Sequence, residues 1–424
     1  MRNGENLHRS GDGMMIQQTN TPELPFRKSV AFLLVFYWAV LVAWQNISSA
    51  EARSSVDVVI KVGLLAYFSW FYLRRGRLVS GKILWVLLLA VFLLVTAFSE
   101  TEFPLSNVIA YGYPVIFLTM VYGLGDRYEI TRKQLLGFCN WVIGIVLYAC
   151  IYAFIFCQDQ FIGILAVSQA YGNELTSFFL SSHEYGMYLA CAMVSCGLCL
   201  KYNNQMTRIR KAFYIVVLAV FALNLVLTFS RTSMAGLAVF LLVFILTEKG
   251  RLKWWILGML LVLGIIILSS PELSDYVYRI VLKENNMANR DNLISGGIRY
   301  YQAGSLLEKM FGYGIYDTRI YFEYYLRNGS VHNAYLQVLL YYGAAGFCFL
   351  IVFLLTQIAV AVKMIRVDRF FGSVRLGLVG MALLMMFTNT AIIFTSPIDS
   401  YFMTVYMFVV PKYVGNAIVR HRFQ

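Results

Sequence analysis

The chain has 424 residues, of which 59% are hydrophobic and only 13% charged, and its formal net charge is +13. Soluble domains carry about 25% charged residues, so this composition excludes a soluble globular enzyme and indicates a polytopic membrane protein. Continuously apolar runs of about 16–24 residues recur along the chain, which favours membrane-spanning helices over a barrel of alternating strands.

We predict an all-α membrane protein with about twelve transmembrane helices and one large periplasmic loop that contains short helices. A polar tail occupies residues 1–29, and helices 1–9 follow within 30–269. The loop is 270–331, helices 10–12 fall within 332–416, and 417–424 form a second tail. The predicted spans lie near residues 30–46, 56–73, 83–98, 107–124, 135–157, 184–200, 212–229, 232–247, 254–269, 334–362, 376–395 and 400–416.

Basic residues predict the orientation of these spans. Lys and Arg collect in polar segments such as 74–82, 201–211 and 363–375, and cytoplasmic loops carry such an excess. We therefore expect both termini in the cytoplasm and the loop 270–331 on the opposite side. The net positive charge then reflects topology and anionic lipid, and we predict no nucleic-acid partner.

Cofactor and metal signals are lacking in the sequence. No Walker A sequence and no Rossmann glycine pattern occurs, so we predict no nucleotide and no other cofactor. All seven cysteines fall within predicted spans, which disfavours a disulfide framework. Cys196 and Cys199 form a CxxC spacing inside an apolar run, and we interpret them as packing residues. We predict no metal site.

Two polar turns before the loop are candidate site elements. Residues 230–233 read Ser-Arg-Thr-Ser between two apolar runs. Arg231 there either snorkels from a short turn or offers a guanidinium fork to a diphosphate, which suits its bidentate geometry. His183 stands at the start of another span, where it is either a helix-capping residue or a weaker substrate-binding candidate.

The loop itself supplies three more cationic candidates: Arg290, Arg299 and Arg319. Residues 299–311 have helical spacing and are flanked by glycines, so we predict one short helix there, lying along the membrane surface. Arg299 would be near its start, where backbone amides also favour anions.

The loop ends in His332 and Asn333, directly before an apolar span. A histidine there either caps the helix or serves as a base near physiological pH. The loop is also rich in tyrosine, and Tyr300 and Tyr335 are candidates to stack on sugars, although aromatic residues are equally typical of membrane interfaces.

At these residues the sequence resembles the bacterial O-antigen polymerase and O-antigen ligase superfamily. His332-Asn333 is followed after nine residues by Gly343 and then by Gly346, as in the family pattern. The Ser-Arg-Thr of residues 230–232 is similar to a second family motif.

Arg299 followed by Gly312-Tyr313-Gly314 is similar to a third family motif. Met310-Phe311 departs from the family, in which a proline often precedes the glycines. The position that corresponds to the family arginine is therefore fixed only to within a few residues, and Arg290 is the alternative to Arg299.

The resemblance implies an inverting glycosyltransferase of the bacterial inner (plasma) membrane with a periplasmic active site. Its donor would be an oligosaccharide on undecaprenyl diphosphate, and its acceptor a glycan or lipid A-core. A chain-length regulator is a further candidate partner. The implied catalytic residues are His332, Arg231 and Arg299, and the implied substrate-binding residues are Arg290, Arg319, Asn333, Tyr300, Tyr335 and His183.

Three functions follow as hypotheses. The favoured one is a polymerase of O-antigen, capsule or exopolysaccharide repeat units. The second is an O-antigen ligase that transfers glycan to lipid A-core, which uses the same donor and motifs. A flippase or transporter of lipid-linked glycans is the hypothesis from another class, and it would tolerate loss of His332.

Overall fold

The computed structural model describes residue 111 and residues 129–160, 174–179, 181–203, 206–271, 274, 287–326, 331–388 and 402–420. Apart from residue 111, the predicted spans that precede residue 129 lie outside this part. We number the described helices in chain order: α1 Arg132–Phe156, α2 Ser182–Tyr202, α3 Arg208–Leu227, α4 Arg231–Thr247, α5 Leu252–Ser269, α6 Met287–Ala303, α7 Leu306–Phe311, α8 Ile315–Leu326, α9 Ala334–Val367, α10 Arg369–Thr388 and α11 Val410–Val419.

The prediction of an all-helical protein is confirmed for the described residues, which contain no strand. Five segments there are long and apolar enough to cross a membrane: α1, α3, α9, α10 and Phe402–Val419. The last of them includes one π-helical turn, Val405–Val409. Several apolar helices of this kind identify a membrane protein, whereas the number twelve and the periplasmic loop stay predictions.

Basic residues lie at one end of the helix bundle, which we call the basic end. The Arg132 Nε, at the start of α1, donates to the Tyr202 carbonyl at the end of α2. The Arg369 Nε, at the start of α10, donates to the Thr247 carbonyl at the end of α4 over 2.7 Å. These helices are therefore antiparallel in pairs, and the starts of α2 and α4 lie at the other end with the end of α10.

Helices α4 and α10 pack tightly along their length because glycines remove side chains from the contact. A Cβ on Gly236 of α4 would come within 2.8 Å of Met385 Cε, and one on Gly377 of α10 within 2.7 Å of Phe240 Cδ2. Small residues are typical of contacts between membrane helices, where packing replaces the hydrophobic effect. The pair thus forms a close connection between the two ends of the bundle.

Helix α9 is broken, contrary to the continuous span predicted at 334–362. Gly343 has φ 66° and ψ −169°, which divides the helix into a short arm (334–342) and a long arm (344–367). A straight helix of 34 residues would be about 50 Å long, well beyond the hydrocarbon thickness of about 30 Å. The long arm alone is sufficient to cross.

The residues 312–314, which we call the glycine loop, supply the hydrogen bonds that the break removes from α9. Tyr313 N–H donates to the Leu340 carbonyl over 2.8 Å, and Gly314 N–H donates to the Tyr341 carbonyl over 3.2 Å. Buried carbonyls need such partners. The break is therefore stabilised by the loop that packs on it.

The single helix predicted at 299–311 is wrong in its bounds. Helix α6 runs through the glycines at 296 and 297 and ends at Ala303, and α7 begins at Leu306. Ser305 separates them because its Oγ accepts from Glu308 N–H, while the Glu308 carboxylate accepts from Ser305 N–H over 2.6 Å. This capping box favours a new helix start at that point.

Candidate functional site

A closed set of hydrogen bonds joins the arginine turn (residues 230–233) to His183. His183 Nδ1 lies 3.2 Å from Ser230 Oγ, which donates to Ser233 Oγ over 2.9 Å. Ser233 Oγ in turn donates to the His183 carbonyl over 3.4 Å. Because the Ser230 proton is directed to Ser233, Nδ1 is the donor to Ser230, and a neutral His183 carries its lone pair on Nε2.

The turn and the start of α2 approach each other closely. A Cβ on Gly186 would lie 2.7 Å from Ser233 Oγ and 2.9 Å from Ser230 Cβ. Both serines are fully buried. Phe229, directly before the turn, has φ 51°, a left-handed conformation that is unfavourable for a side chain. The surrounding contacts therefore hold Arg231 at the start of α4 in one backbone geometry.

The His-Asn pair (His332 and Asn333) begins the short arm of α9. Asn333 is its N-cap: the side-chain Oδ1 accepts from Leu336 N–H over 3.0 Å, and Nδ2 donates to the Phe387 carbonyl over 3.1 Å. His332 is half-buried and has φ 49°. Left-handed non-glycine residues are often found at functional sites, where neighbouring contacts compensate for the strain.

The end of α10 connects the His-Asn pair to the arginine turn. Thr388 Oγ1 donates to Thr232 Oγ1 over 2.7 Å, and its neighbour Phe387 accepts from Asn333. One helical turn earlier, the Leu383 carbonyl accepts from the Tyr335 hydroxyl over 2.9 Å. The structure thus brings together the arginine turn and the His-Asn pair, two motif regions that are far apart in sequence. The side-chain amide of Asn333 and the hydroxyl of Tyr335 both donate hydrogen bonds to backbone carbonyls of α10.

Helices α2, α4 and α9 all begin at this end of the bundle. The hydrogen bonds between His183 and Ser230, and those that α10 makes to Thr232 and Asn333, hold the three starts close together. Each helix start carries a partial positive charge from its backbone amides. With the guanidinium of Arg231 at one of the starts, the local electrostatics favour an anion.

The loop arginines lie in different surroundings. Arg299 is exposed on α6, and no hydrogen bond or ion pair of the described residues joins it to Arg231 or His332. Arg319 is exposed on α8, where its Nε lies 2.6 Å from the Glu323 carboxylate. Arg290 belongs to α6, and its side chain lies outside the described residues.

Helix α6 is attached to the short arm of α9 by close packing at Gly297. A Cβ there would lie 3.0 Å from Leu336 Cδ2 and 3.2 Å from Phe322 Cζ. By helical spacing, position 290 lies two turns before Gly297 on the same face, whereas position 299 lies well round the helix from it. Positions 290 and 299 therefore lie on different faces of α6.

Tyr300 is part of a stack of aromatic rings. Its ring lies 4.0 Å from the Tyr313 ring and 3.9 Å from the Tyr321 ring, with interplanar angles of 17° and 7°. Burial, and then the nearby Tyr313 and Asp317, raise the pKa of Tyr300. Burial, and then Glu308, raise the pKa of Tyr313 to about 12. Both phenols stay protonated at neutral pH and rigidify the glycine loop.

Sequence reasoning missed two members of this arrangement. Thr388 lies within the predicted span 376–395, and no neighbouring sequence pattern indicated a role for its hydroxyl. The packing of Gly312 on the backbone of Tyr341 and Tyr342, and of Gly343 on that of Met310 and Phe311, was also missed, although both glycines belonged to recognised motifs. Among the described residues no group of three or more His, Cys, Asp or Glu could hold a metal ion.

A comparison with protein families covers the arginine turn and the His-Asn pair. Residues 214–351 match the family model described as O-Antigen ligase. The match runs from α3 into the long arm of α9 and includes Arg231, Arg299, His332 and Gly343. No curated protein matches the chain. The motif resemblance to the O-antigen ligase and polymerase superfamily is thereby confirmed over residues 214–351.

Proposed function

We propose that the chain is a membrane glycosyltransferase that transfers a glycan from undecaprenyl diphosphate to an acceptor hydroxyl at the periplasmic face. The observation that carries the proposal is that the arginine turn, through Thr232, and the His-Asn pair, through Asn333, both bind the end of α10. An anion site beside a histidine is the arrangement that departure of a diphosphate requires.

In the proposed reaction the acceptor oxygen attacks the anomeric carbon, and the bond from that carbon to the diphosphate breaks, with inversion. His332 takes the proton of the acceptor hydroxyl. Arg231 and the starts of α2, α4 and α9 stabilise the charge that develops on the leaving diphosphate, an effect that is often the largest in such sites. The sugar–phosphate bond is already activated, so no nucleotide is needed.

A loop arginine is the proposed second contact to the diphosphate. Arg299 and Arg290 are alternatives that single alanine variants would separate. Arg319 is a weaker candidate because Glu323 competes for its guanidinium. His183, which is hydrogen-bonded to the arginine turn, is the proposed contact on the other side of Arg231, with Tyr300 and Tyr335 supporting the substrate.

The leading form of the proposal is a polymerase of O-antigen, capsule or exopolysaccharide repeat units. The second form is a ligase that moves finished glycan onto lipid A-core, which the description of the matched family favours. Deleting the gene in its host and separating the surface polysaccharide on gels distinguishes them. Single repeat units on lipid A-core indicate a polymerase, and bare core with full chains left on undecaprenyl diphosphate indicates a ligase.

Complementation with variants tests the chemistry. We expect His332→Ala and Arg231→Ala to abolish most product at normal membrane abundance, and Arg231→Lys to rescue poorly because a lysine lacks the bidentate fork. Arg366→Ala is the matched control, since Arg366 is an exposed arginine near the basic end of α9. Full activity of His332→Ala would refute the proposed base and favour a carrier of lipid-linked glycans.

A further inference from the structure

The exposed side chains of the short helix α7 are all apolar. Leu306 is 80% exposed, Leu307 66% and Met310 44%. These positions are i, i+1 and i+4 of a helix and therefore lie on one side. The two charged residues of α7, at 308 and 309, are only partly exposed. A helix with this distribution is unfavourable in water, because three large apolar side chains would remain solvated.

The depth of α7 follows from its contact with α9. A Cβ on Gly343 would overlap the Met310 carbonyl and the Phe311 nitrogen, so the backbones of α7 and α9 touch at the break. Lys363 is 20 positions after Gly343, and the 19 residues between them carry no charge. At about 1.5 Å per residue this distance is about 30 Å, the thickness of the hydrocarbon core.

Lys363 is exposed near the basic end, where a lysine marks the membrane boundary. Gly343 then lies at the opposite boundary of the hydrocarbon core, and so does the peptide of α7 that touches it. The exposed apolar face and the depth of the backbone are independent observations, and both assign α7 to the lipid boundary.

Helix α8 provides the contrast. Tyr324 is 78% exposed, and the same surface carries the ion pair of Arg319 with Glu323. Exposed charges of both signs are typical of an aqueous surface. The two helices therefore differ in environment although each exposes large side chains.

We propose that α7 is embedded in the lipid bilayer, parallel to the membrane surface, with Leu306, Leu307 and Met310 among the lipid acyl chains. The glycine loop that follows α7 packs on the short arm of α9, which directly follows the His-Asn pair. The embedded helix thus fixes the height of the site above the hydrocarbon core. The proposal does not depend on the proposed reaction.

Depth-dependent quenching tests the proposal on the full chain. In a background with the exposed Cys348 replaced by Ser, Leu307→Cys is labelled with an environment-sensitive fluorophore and reconstituted into vesicles of phosphatidylcholine and phosphatidylglycerol. Tyr324→Cys, of similar exposure, is the matched control. We expect blue-shifted emission at Leu307 and several-fold stronger quenching by acyl-chain doxyl lipid than at Tyr324. Equal quenching of both positions by an aqueous quencher would overturn the proposal.

A second measurement uses the unaltered protein, so it does not depend on a variant's folding. Vesicles that contain a phospholipid with a photoreactive acyl chain are irradiated, and labelled peptides are identified by mass spectrometry. We expect label on 306–310 and on the lipid-facing residues of 344–362, but not on 319–325. Label on 344–362 with none on 306–310 would refute an embedded α7.

Discussion

At the scale of single residues, Gly312 and Gly343 combine a positive φ with close contact to the backbone of another segment. Their φ angles are 88° and 66°. A Cβ on Gly312 would overlap the backbone of Tyr341 and Tyr342, and one on Gly343 would overlap the backbone of α7. Backbone cannot move aside as a flexible side chain can, so neither contact is easily relieved.

We therefore expect Gly312→Ala and Gly343→Ala each to destabilise the protein by about 2 kcal/mol or more, because left-handed strain alone costs about 1–2 kcal/mol. Thermal unfolding in detergent measures the loss. Gly144→Ala is the control, since a Cβ there meets nothing within 4 Å, and it should be neutral or slightly stabilising. Unchanged unfolding of the first two variants would contradict the described packing.

The hydrogen bond between Thr388 and Thr232 also gives a test at this scale. Removing one hydroxyl should cost about 1 kcal/mol in positioning, or roughly a five-fold loss of activity. We expect Thr232→Val and Thr388→Val to lose similar activity, and the double variant to lose no more than either. Product yield at equal membrane abundance measures this cycle, and additive losses would mean that the two threonines act separately.

The sequence predicted Arg231 and His332 because each stands at a polar break beside an apolar run and within a motif. It could not predict Thr388, because a threonine near the end of an apolar span has no distinctive pattern. Its role depends on which residue lies across from it in the folded bundle, and only tertiary packing determines that.

At the scale of elements, the broken α9 and the division of α6 from α7 are the departures from prediction. The apolar run 334–362 continues through Gly343 without interruption, so hydrophobic pattern alone predicts one span. The break depends on hydrogen bonds from the glycine loop, which is 30 residues away in sequence. By contrast, the starts of α1 to α4 were predicted within four residues, because each has a clear polar-to-apolar transition.

The tyrosine stack makes the stability of these elements depend on pH. The raised pKa of Tyr313, about 12 against an ordinary value of about 10, means that folding favours the neutral phenol. The contribution of Tyr313 to the free energy of unfolding is complete below about pH 10 and is lost as the pH rises from about 10 to 12. We expect Tyr313→Phe to flatten the fall in unfolding temperature over that window, and an unchanged fall would contradict this role of its phenol.

At the scale of the whole molecule, the two ends of the bundle differ in chemistry. Arg132 of α1 and Arg369 of α10 lie at one end, and the arginine turn and His-Asn pair lie at the other. Reporter fusions test the predicted sides. We expect a phosphatase fused between α2 and α3 to be inactive and one fused between α8 and α9 to be active. The reverse result would refute the proposal that the reaction takes place on the periplasmic side.

A buried arginine joins three helices within the bundle. Arg375 of α10 is 2% exposed, and its Nη2 donates to Gln357 Oε1 of α9 over 3.2 Å. On α11, Gly415 leaves space for the guanidinium, since a Cβ there would lie 3.3 Å from Nη1.

Gln357→Leu should destabilise the protein by about 3 kcal/mol, because it deprives a buried charge of a hydrogen-bond acceptor. We expect the double variant Gln357→Leu with Arg375→Met to recover most of that loss, because no buried charge then remains. Thermal unfolding of the two single variants and the double variant measures the difference. A double variant less stable than Gln357→Leu would mean that Arg375 stabilises the bundle through other contacts.

The contact between the glycine loop and the break in α9 has a consequence for how such proteins diverge. Its backbone hydrogen bonds join Tyr313 and Gly314 to Leu340 and Tyr341 and do not depend on side chains. The segment from α8 to the His-Asn pair lies between these two joined points. Insertions and deletions inside that segment can therefore accumulate without displacing α9. Relatives that act on different sugars are expected to differ most in the length of this stretch, and chimeras exchanged between residues 315 and 331 should keep the scaffold while changing the substrate.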